Sequence, residues 1–444
     1  MSNTDRKQSV DSEPAVLVGV QLPEDTYHGD PLDELAGLVE TAGATIVGRL
    51  TQKRQAPDAA TYVGHGKVDE LKFLVDATEA DVVIFDNDLS PAQIRNLEET
   101  LKVKVLDRTE VILDIFSTRA QTHEARLAVE LAQLEYSLPR LKGMWKHLSR
   151  MKMGVGMRGP GEKQLETDRR LAEKRITDLR RDLEKVQKRK EREVAGRRDR
   201  MTVSLVGYTN AGKSTLMNAL TDAHVLAEDK LFATLDTRTR RWQLPGWGPV
   251  LLSDTVGFIR NLPHNLVASF KATLEEARQA DLLIHVADAS SPVALDQIKA
   301  VYDVLREIGI EEKDALLVLN KVDQIDDPAR LEAIRRLYPS AVAISARTGD
   351  GLPRLAAAVS DALSHDFLDL EFRFSVSNGR LLAYLAKYGE VISRTFSGDL
   401  ATVHCRLSRK HLGTLRDDPE IEIHPYVASS INRHDAEEAV GEVA

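Results

Sequence analysis

Strand-like runs alternating with amphipathic helical stretches, one complete G-x-x-x-x-G-K-S loop, and two leucine seams of heptad-like spacing predict an α/β multidomain fold. In chain order this is an N-terminal α/β subdomain over 14–122, a basic helical hairpin with a Gly-rich loop over 123–200, a P-loop domain over 201–365 and a small α+β domain over 366–432. The polar stretches 1–13 and 433–444 are expected to be disordered. At 444 residues the chain can bury several cores. Its single cysteine, Cys405, excludes an internal disulfide framework and suits a reducing, cytoplasmic setting. The first thirteen residues are polar, so no signal peptide is expected, and no apolar run comes near the roughly 18 residues that would read as a membrane span.

The N-terminal part alternates in order. Residues 15–20 read as a short apolar strand, and 31–41 as a helix with Leu32, Leu35, Leu38 and Val39 on one side. Strands follow at 45–47, 81–85 and 103–106, and Ser90-Pro91 opens a helix with a serine cap and a first-turn proline. Strands separated by helices argue a parallel sheet flanked by helices. Within this part, Tyr62-Val63-Gly64-His65-Gly66-Lys67 resembles half of a phosphate loop. It is too short for a full one and reads as a turn before a helix, with a second nucleotide site as the minor alternative.

Leu127, Leu131, Leu134 and Leu138 form one seam; Ala172, Ile176, Leu179, Leu183 and Val186 form another. Two helices in an antiparallel hairpin satisfy both. The segment 143–161 between them, with Gly154, Gly156, Gly159 and Gly161, is expected to be a loop at the tip. Residues 140–200 hold 21 Lys/Arg and 10 Asp/Glu, a local +11, which leaves −20 for the rest of a chain of net −9. A cationic arm on an acidic body is a layout for binding a polyanion, here RNA. Arg150, Lys152, Arg158, Lys163, Arg169 and Arg170 are the candidate contacts. Met144 and Trp145 at the loop base suit either stacking on bases or packing.

The run at 202–206 reads as a strand and 216–220 as a helix, and between them lies Gly207-Tyr208-Thr209-Asn210-Ala211-Gly212-Lys213-Ser214. In that context the glycines let backbone N–H groups and the helix N-terminus face phosphate oxygens, with Lys213 reaching the β/γ-phosphates and Ser214 a Mg²⁺ ion. Downstream, the apolar run at 251–253 leads to Asp254-Thr255-Val256-Gly257. A carboxylate there can hold the metal through water, and the Gly257 N–H can meet the γ-phosphate. A third strand, 315–319, runs into Asn320-Lys321-Val322-Asp323. The Asp323 carboxylate can accept from the N1–H and 2-amino group of guanine, a pairing adenine cannot make. Ser345-Ala346-Arg347 closes the base pocket after a strand at 341–344. Four motifs in order, each after a strand, select GTP.

At this point the sequence resembles one family, the HflX-type translational GTPases, over roughly 14–430. Besides the four motifs, the resemblance rests on Asp88-Leu-Ser-Pro-Ala-Gln-Ile-Arg95, Asp107-Arg108-Thr109, Glu124-Ala-Arg126, Arg158-Gly-Pro-Gly-Glu162 and Asp168-Arg-Arg170. It implies a Ras-like GTPase domain, binding to the large (50S) ribosomal subunit and its rRNA, and GTP-dependent splitting of stalled or idle 70S ribosomes. Phe232-Ala233-Thr234-Leu235-Asp236 matches the family's first switch, which makes Thr234 the second Mg²⁺ ligand, with Thr237 and Thr239 its competitors on chemistry alone. Where the family commonly has proline after Asp236, this chain has Thr237.

Phe258 stands where Ras-like enzymes place a water-orienting glutamine, so intrinsic hydrolysis is expected to be slow and stimulated by the ribosome. Lys213, Thr234 and Gly257 are the catalytic candidates. Asn210 either holds K⁺ near the phosphates, as similar GTPases do, or tightens the loop. The C-terminal part reads as a strand at 370–376, a helix at 379–388 and strands at 390–396 and 401–407. The expected protein is a cytoplasmic monomer. Two rivals are a GTPase of ribosome assembly, and a regulator of a membrane-bound protease with peripheral membrane association and no RNA.

Overall fold

The computed structural model describes residues 13–23, 29–150, 160–196, 201–221, 231–235, 237–244, 248–260, 276–307, 309–310, 315–325, 327–364, 367–408, 412, 415 and 420–426. Two compact units result: 1–195 with 202–242 and 251–355, and 196–201 with 243–250 and 356–444.

The first unit begins with β1 (Pro14–Gln21), β2 (Thr45–Lys53), β3 (Val82–Phe85) and β4 (Lys104–Asp107), in the order β2-β1-β3-β4. All pairs are parallel, with β1 meeting β2 from Pro14 opposite Thr45 and β3 from Ala15 opposite Val82. Alternation along β1 explains the layering. Ala15 and Leu17 point to a core with Leu35, Ile112 and Phe116, while Val16 and Val18 point to another with Leu71, Phe85 and Leu97. Helices α1 (Asp33–Thr41), α2 (His65–Thr78), α3 (Pro91–Leu101) and α4 (Arg108–Arg119) cover the two faces. Helix α3 starts as expected. Ser90 Oγ accepts from the Gln93 N–H, Gln93 Oε1 accepts from the Ser90 N–H, and Pro91 follows. Strand β2 runs six residues beyond its predicted end, because an edge strand with a polar face hides its period. Gly64 is the N-cap of α2, and Lys67 Nζ pairs with Glu70 at 2.8 Å.

Two long helices follow, α5 (His123–Arg150) and α6 (Pro160–Gly196). Leu127, Leu131, Ile176 and Leu179 are buried together with Leu134, Leu138 and Leu183 against them, as the seams require. The segment 143–161, expected to be a loop, is helical at both of its ends. Helix α5 continues through Gly143 to Arg150, and Pro160 begins α6. One glycine costs a helix only about 1 kcal/mol, and proline is tolerated in a first turn, where its missing N–H has no partner to lose.

A six-stranded sheet follows: β5 (Thr202–Gly207), β6 (Arg238–Leu244), β7 (Gly248–Asp254), β8 (Leu282–Asp288), β9 (Ala315–Asn320) and β10 (Val342–Ala343). Its order is β10-β9-β8-β5-β7-β6, with β5 parallel to both β7 and β8. Its helices are α7 (Lys213–Thr221), α8 (Ala294–Glu307), α9 (Pro328–Leu337) and α10 (Leu352–Ser364). The order places the carboxyl ends of β5, β7, β8 and β9 side by side, where the four motifs sit.

The second unit holds an antiparallel sheet, β12-β13-β11-β14, of β11 (Phe367–Ser375), β12 (Gly389–Ser397), β13 (Leu400–Ser408) and β14 (Glu422–Pro425). Helix α11 (Gly379–Tyr388) packs Leu381 and Leu385 over Phe372, Phe374 and Val403. Cys405, on β13, is fully buried in that core. No helix among the described residues is long and apolar enough to cross a membrane.

Candidate functional site

The glycines of the loop after β5 are there for space. At φ 151°, a Cβ on Gly207 would lie 2.1 Å from Val286 O; at φ 90°, one on Gly212 would lie 2.3 Å from Asn320 Nδ2. The loop is bound to the segment after β7 by Thr209 N–H to Phe258 O at 2.7 Å and Phe258 N–H to Gly207 O at 3.0 Å. This brings Gly257 close enough that a Cβ on it would meet Thr209 Cα at 2.8 Å. Lys213 is buried and donates to the carbonyls of Gly207 (3.1 Å) and Tyr208 (2.9 Å). Burial lowers its pKa to about 8, with Asp254 acting in the other direction. An ammonium held this way gains most from an incoming anion.

Three side-chain oxygens converge beside it. Ser214 Oγ lies 2.6 Å from Asp254 Oδ2 and 2.8 Å from Thr234 Oγ1, and Thr234 Oγ1 lies 3.3 Å from the same carboxylate oxygen. Burial raises the Asp254 pKa, opposed by Lys213 and the two hydroxyls. Its Oδ1 is buried with no hydrogen-bond partner among the described residues. An all-oxygen set with an unspent carboxylate oxygen fits a hard divalent cation such as Mg²⁺. Of the competing threonines, Thr237 turns instead to Glu276, at 3.3 Å. Phe232, Ala233 and Thr234 line the same cavity as Asn210, Lys213 and Gly257, and Leu235 is buried behind them. Val256 and Thr255 are buried, Thr255 Oγ1 donating to Leu205 O at 2.7 Å. Asp236 lies outside the described residues.

The third and fourth motifs meet through Asn320. Its Nδ2 donates to Ala211 O and its Oδ1 accepts from the Ala346 N–H, both at 2.9 Å, so phosphate loop and base-side loops are braced by one buried amide. Asp323 and Arg347 are exposed, Val322 is half-buried, and Ser345 is buried with its Oγ accepting from the Thr348 N–H at 3.1 Å. Lys321, at φ 62°, pairs with Asp288 Oδ2 at 2.7 Å. Asp288 was not anticipated. Its signal in the sequence is Asp288-Ala289-Ser290 at a strand end, where Asp288 Oδ1 accepts from the Ser290 N–H and Oγ.

The site also joins the N-terminal subdomain, through residues that sequence reasoning missed. Tyr208 Oη donates to Glu34 Oε1 and accepts from the Arg260 N–H, each at 2.8 Å. Arg108, on α4, pairs with Glu34 and with Asp86 (2.7 Å) and donates to Arg260 O at 3.1 Å. Burial and the Glu34 carboxylate raise the Tyr208 pKa well above its usual value. Phe232, at φ 53°, donates its N–H to Thr209 Oγ1 at 2.7 Å and stands edge-on to Phe116 of α4 with centroids 4.7 Å apart.

The same subdomain holds the base of the arm. Buried Asp107 caps α4 through the Glu110 N–H, and accepts from Arg140 at 2.6 Å and from Tyr136, both on α5. Burial raises its pKa to about 6, against the pull of Arg140. Along the arm's shaft several cations are paired: Arg169 with Glu173, Arg175 with Glu130, Arg180 with Glu135, Arg181 with Asp178, and Arg189 with Glu124. Of the RNA candidates, Arg170 is exposed and Arg169 is thus engaged. Lys152 and Arg158 lie outside the described residues, as do the side chains of Met144, Trp145, Arg150 and Lys163.

Residues 29–117 match a family model described as GTP-binding GTPase N-terminal, and 119–197 one described as GTP-binding GTPase Middle Region. Residues 202–321 match a third, described as 50S ribosome-binding GTPase. A protein named GTPase HflX from Lacrimispora saccharolytica is 44% identical over 411 residues, 92% of this chain and 96% of that one. The GTPase HflX of Escherichia coli is 49% identical over 375 residues, 83% and 87% of the two chains. The solved structure of a GTP-binding protein from the hyperthermophilic archaeon Sulfolobus solfataricus, in complex with GDP, is 25% identical with a TM-score of 0.43, over 79% of this chain and 99% of that one.

Proposed function

The chain belongs to the HflX family of GTPases and hydrolyses GTP; from that premise we propose that it is a GTP-gated factor that binds the large (50S) ribosomal subunit and splits stalled or idle 70S ribosomes. The observation that carries this reading is the wiring of the site. Tyr208 of the phosphate loop, Phe232 of the first switch and Arg260 after Gly257 are bonded or packed onto the subdomain that anchors the arm through Asp107. Whatever reorders Thr234 and Gly257 therefore acts on the arm's base, and the arm, cationic over 140–200, is the surface offered to rRNA.

In this reading the backbone from Gly207 to Ser214 cradles the phosphates and Lys213 leaves its two carbonyls for the β/γ-oxygens. Ser214 and Thr234 would hold Mg²⁺ directly and Asp254 would hold it through water. When bound, the ion neutralises charge developing on the β/γ-oxygens. Asn320, Lys321 and Asp323 read the base, with Ser345, Ala346 and Arg347 closing the pocket. Phe258 is buried with its backbone locked to the phosphate loop, so its ring orients no water and hydrolysis waits on the ribosome. Asn210, exposed at φ 59°, is the candidate K⁺ ligand, tested by exchanging K⁺ for Na⁺ in a turnover assay.

Sucrose gradients of purified 70S ribosomes, with the protein and a non-hydrolysable GTP analogue or GDP, test the proposal. Conversion to subunits, with the protein on the large one only in the GTP-like state, is the expected result. Binding to free large subunits with 70S left intact moves the reading to ribosome assembly. Failure to bind in either state refutes both.

A further inference from the structure

Strand β6 is the outermost strand of the six-stranded sheet, so one side of its backbone meets no other strand of that sheet. Within four residues it carries Arg238, Arg240 and Arg241; the last two are exposed and the first is half-buried. Among the described residues none of the three forms an ion pair. The one side-chain hydrogen bond of Arg240 among the described residues runs from its Nη1 to the neighbouring Thr239 O, at 3.0 Å. The arm's shaft shows the opposite pattern, with Arg175 and Arg180 each held by a carboxylate from the facing helix. Outside 140–200 the chain carries −20, yet here three arginines fall within four residues of one outer strand with no acid between them in sequence. The strand begins four residues after Thr234, and Arg238 is near enough to Asp254 to favour its ionised form.

We infer that β6 is a docking strip for the phosphodiester backbone of RNA, a second hold on the partner that the arm engages. The inference rests on the ribosome-binding reading and adds the place of contact on the GTPase domain. A guanidinium matches a phosphate with two parallel N–H···O bonds, which a lysine cannot reproduce, and Arg240 and Arg241, with no ion pair among the described residues, lose none in making them. Because the strip continues from the first switch, its pose follows the nucleotide state. The competing role for arginines on an outer strand is to block strand-to-strand association, and that role predicts self-association of the variant rather than weaker RNA binding.

The test titrates the full-length protein, loaded with a non-hydrolysable GTP analogue, onto purified large ribosomal subunits at salt between about 50 and 200 mM, the range over which phosphate contacts are resolved. Each phosphate contact adds roughly 0.7–0.9 to the log–log salt slope. The Arg240→Gln/Arg241→Gln variant is therefore expected to bind about tenfold more weakly at 0.1 M salt, with a slope shallower by about 2. Arg240→Lys/Arg241→Lys restores the slope, since the charges return, but only part of the affinity. Hydrolysis without ribosomes stays at the wild-type rate. A glutamine variant with wild-type affinity and slope overturns the inference. So does one that self-associates while still binding, or one weakened equally at every salt. If the wild-type protein does not bind large subunits, the function proposed above fails, and the same titration on deproteinised large-subunit RNA decides the strip by the same criteria.

Discussion

Replacing His285 by leucine should remove a specific part of the chain's acid sensitivity. His285 lies on β8 between Val206 of β5 and Leu317 of β9, fully buried, with neither ring nitrogen bonded among the described residues. Its ring meets Tyr302 edge-on at 4.7 Å. Burial, with Lys213 adding to it, lowers its pKa to about 3. In the unfolded chain the same imidazole titrates near 6.5. The folded value is the depressed one, so between about pH 6.5 and 3 the unfolded state binds the extra proton and stability falls as pH falls. Linkage gives about 0.2 kcal/mol lost at pH 7 and about 2 kcal/mol at pH 5. Any folded value below about 4 yields the same figure at pH 5. At pH 7 the leucine variant should be near neutral. It removes unpaired ring nitrogens that cost about 1–3 kcal/mol and loses an aromatic contact worth about 0.5–1.5 kcal/mol. Urea unfolding at pH 7 and pH 5, followed by fluorescence of buried Trp242, measures both proteins. The wild type should lose about 2 kcal/mol more than His285→Leu between the two pH values. Parallel losses would show that the ring finds a proton or a partner in the fold, and would refute the reasoning.

Three other outcomes are expected. Tyr208→Phe deletes the hydroxyl between Glu34 and the Arg260 N–H, and should lower the free energy of urea unfolding by the roughly 1.5–3 kcal/mol of a charge-assisted bond; GTP affinity should hold, because that hydroxyl's partners are Glu34 and the Arg260 N–H. Gly257→Ala sets a methyl 2.8 Å from Thr209 Cα and 3.2 Å from Lys213 Nζ, so single-turnover hydrolysis should drop by about 100-fold, the usual penalty for misplacing reacting groups by an ångström, and wild-type turnover would contradict the packing. Asp323→Asn leaves guanine's donors facing an amide, and should weaken GTP and GDP alike by a factor of about 100 or more in fluorescence competition, without a preference for either nucleotide.

Much of the candidate site is legible in the sequence because its chemistry is local. Gly207 to Ser214 is one loop whose residue types state their own purpose, and β5, β7 and β9 announce themselves as apolar runs ending in Gly207, Asp254 and Asn320. The capping box at Ser90 was equally readable, since a cap and its partner lie three residues apart. Gly143 and Gly161 mislead as helix breakers, because long helices absorb a glycine's small cost. The choice of Thr234 over Thr237 came from resemblance. The structure places Thr234 against Ser214 and Asp254 and turns Thr237 to Glu276. Asp288, His285 and β6 were overlooked: a strand-end acid, a histidine inside an apolar run and an arginine-rich strand each look ordinary until their neighbours are known.

The sequence by itself determined the fold class, the nucleotide and the order of the elements, because periodicity, caps and phosphate loops act over a few residues. Tertiary structure decided which distant groups share one environment. Glu34 and Tyr208 are 174 positions apart and bonded, Arg108 reaches the Arg260 carbonyl across 152, and Arg140 reaches Asp107 across 33. A buried carboxylate or tyrosine hydroxyl must find a partner wherever the packing supplies one. That requirement has no period and no spacing, so the joint between the nucleotide site and the arm-bearing subdomain could be seen only once the chain was folded.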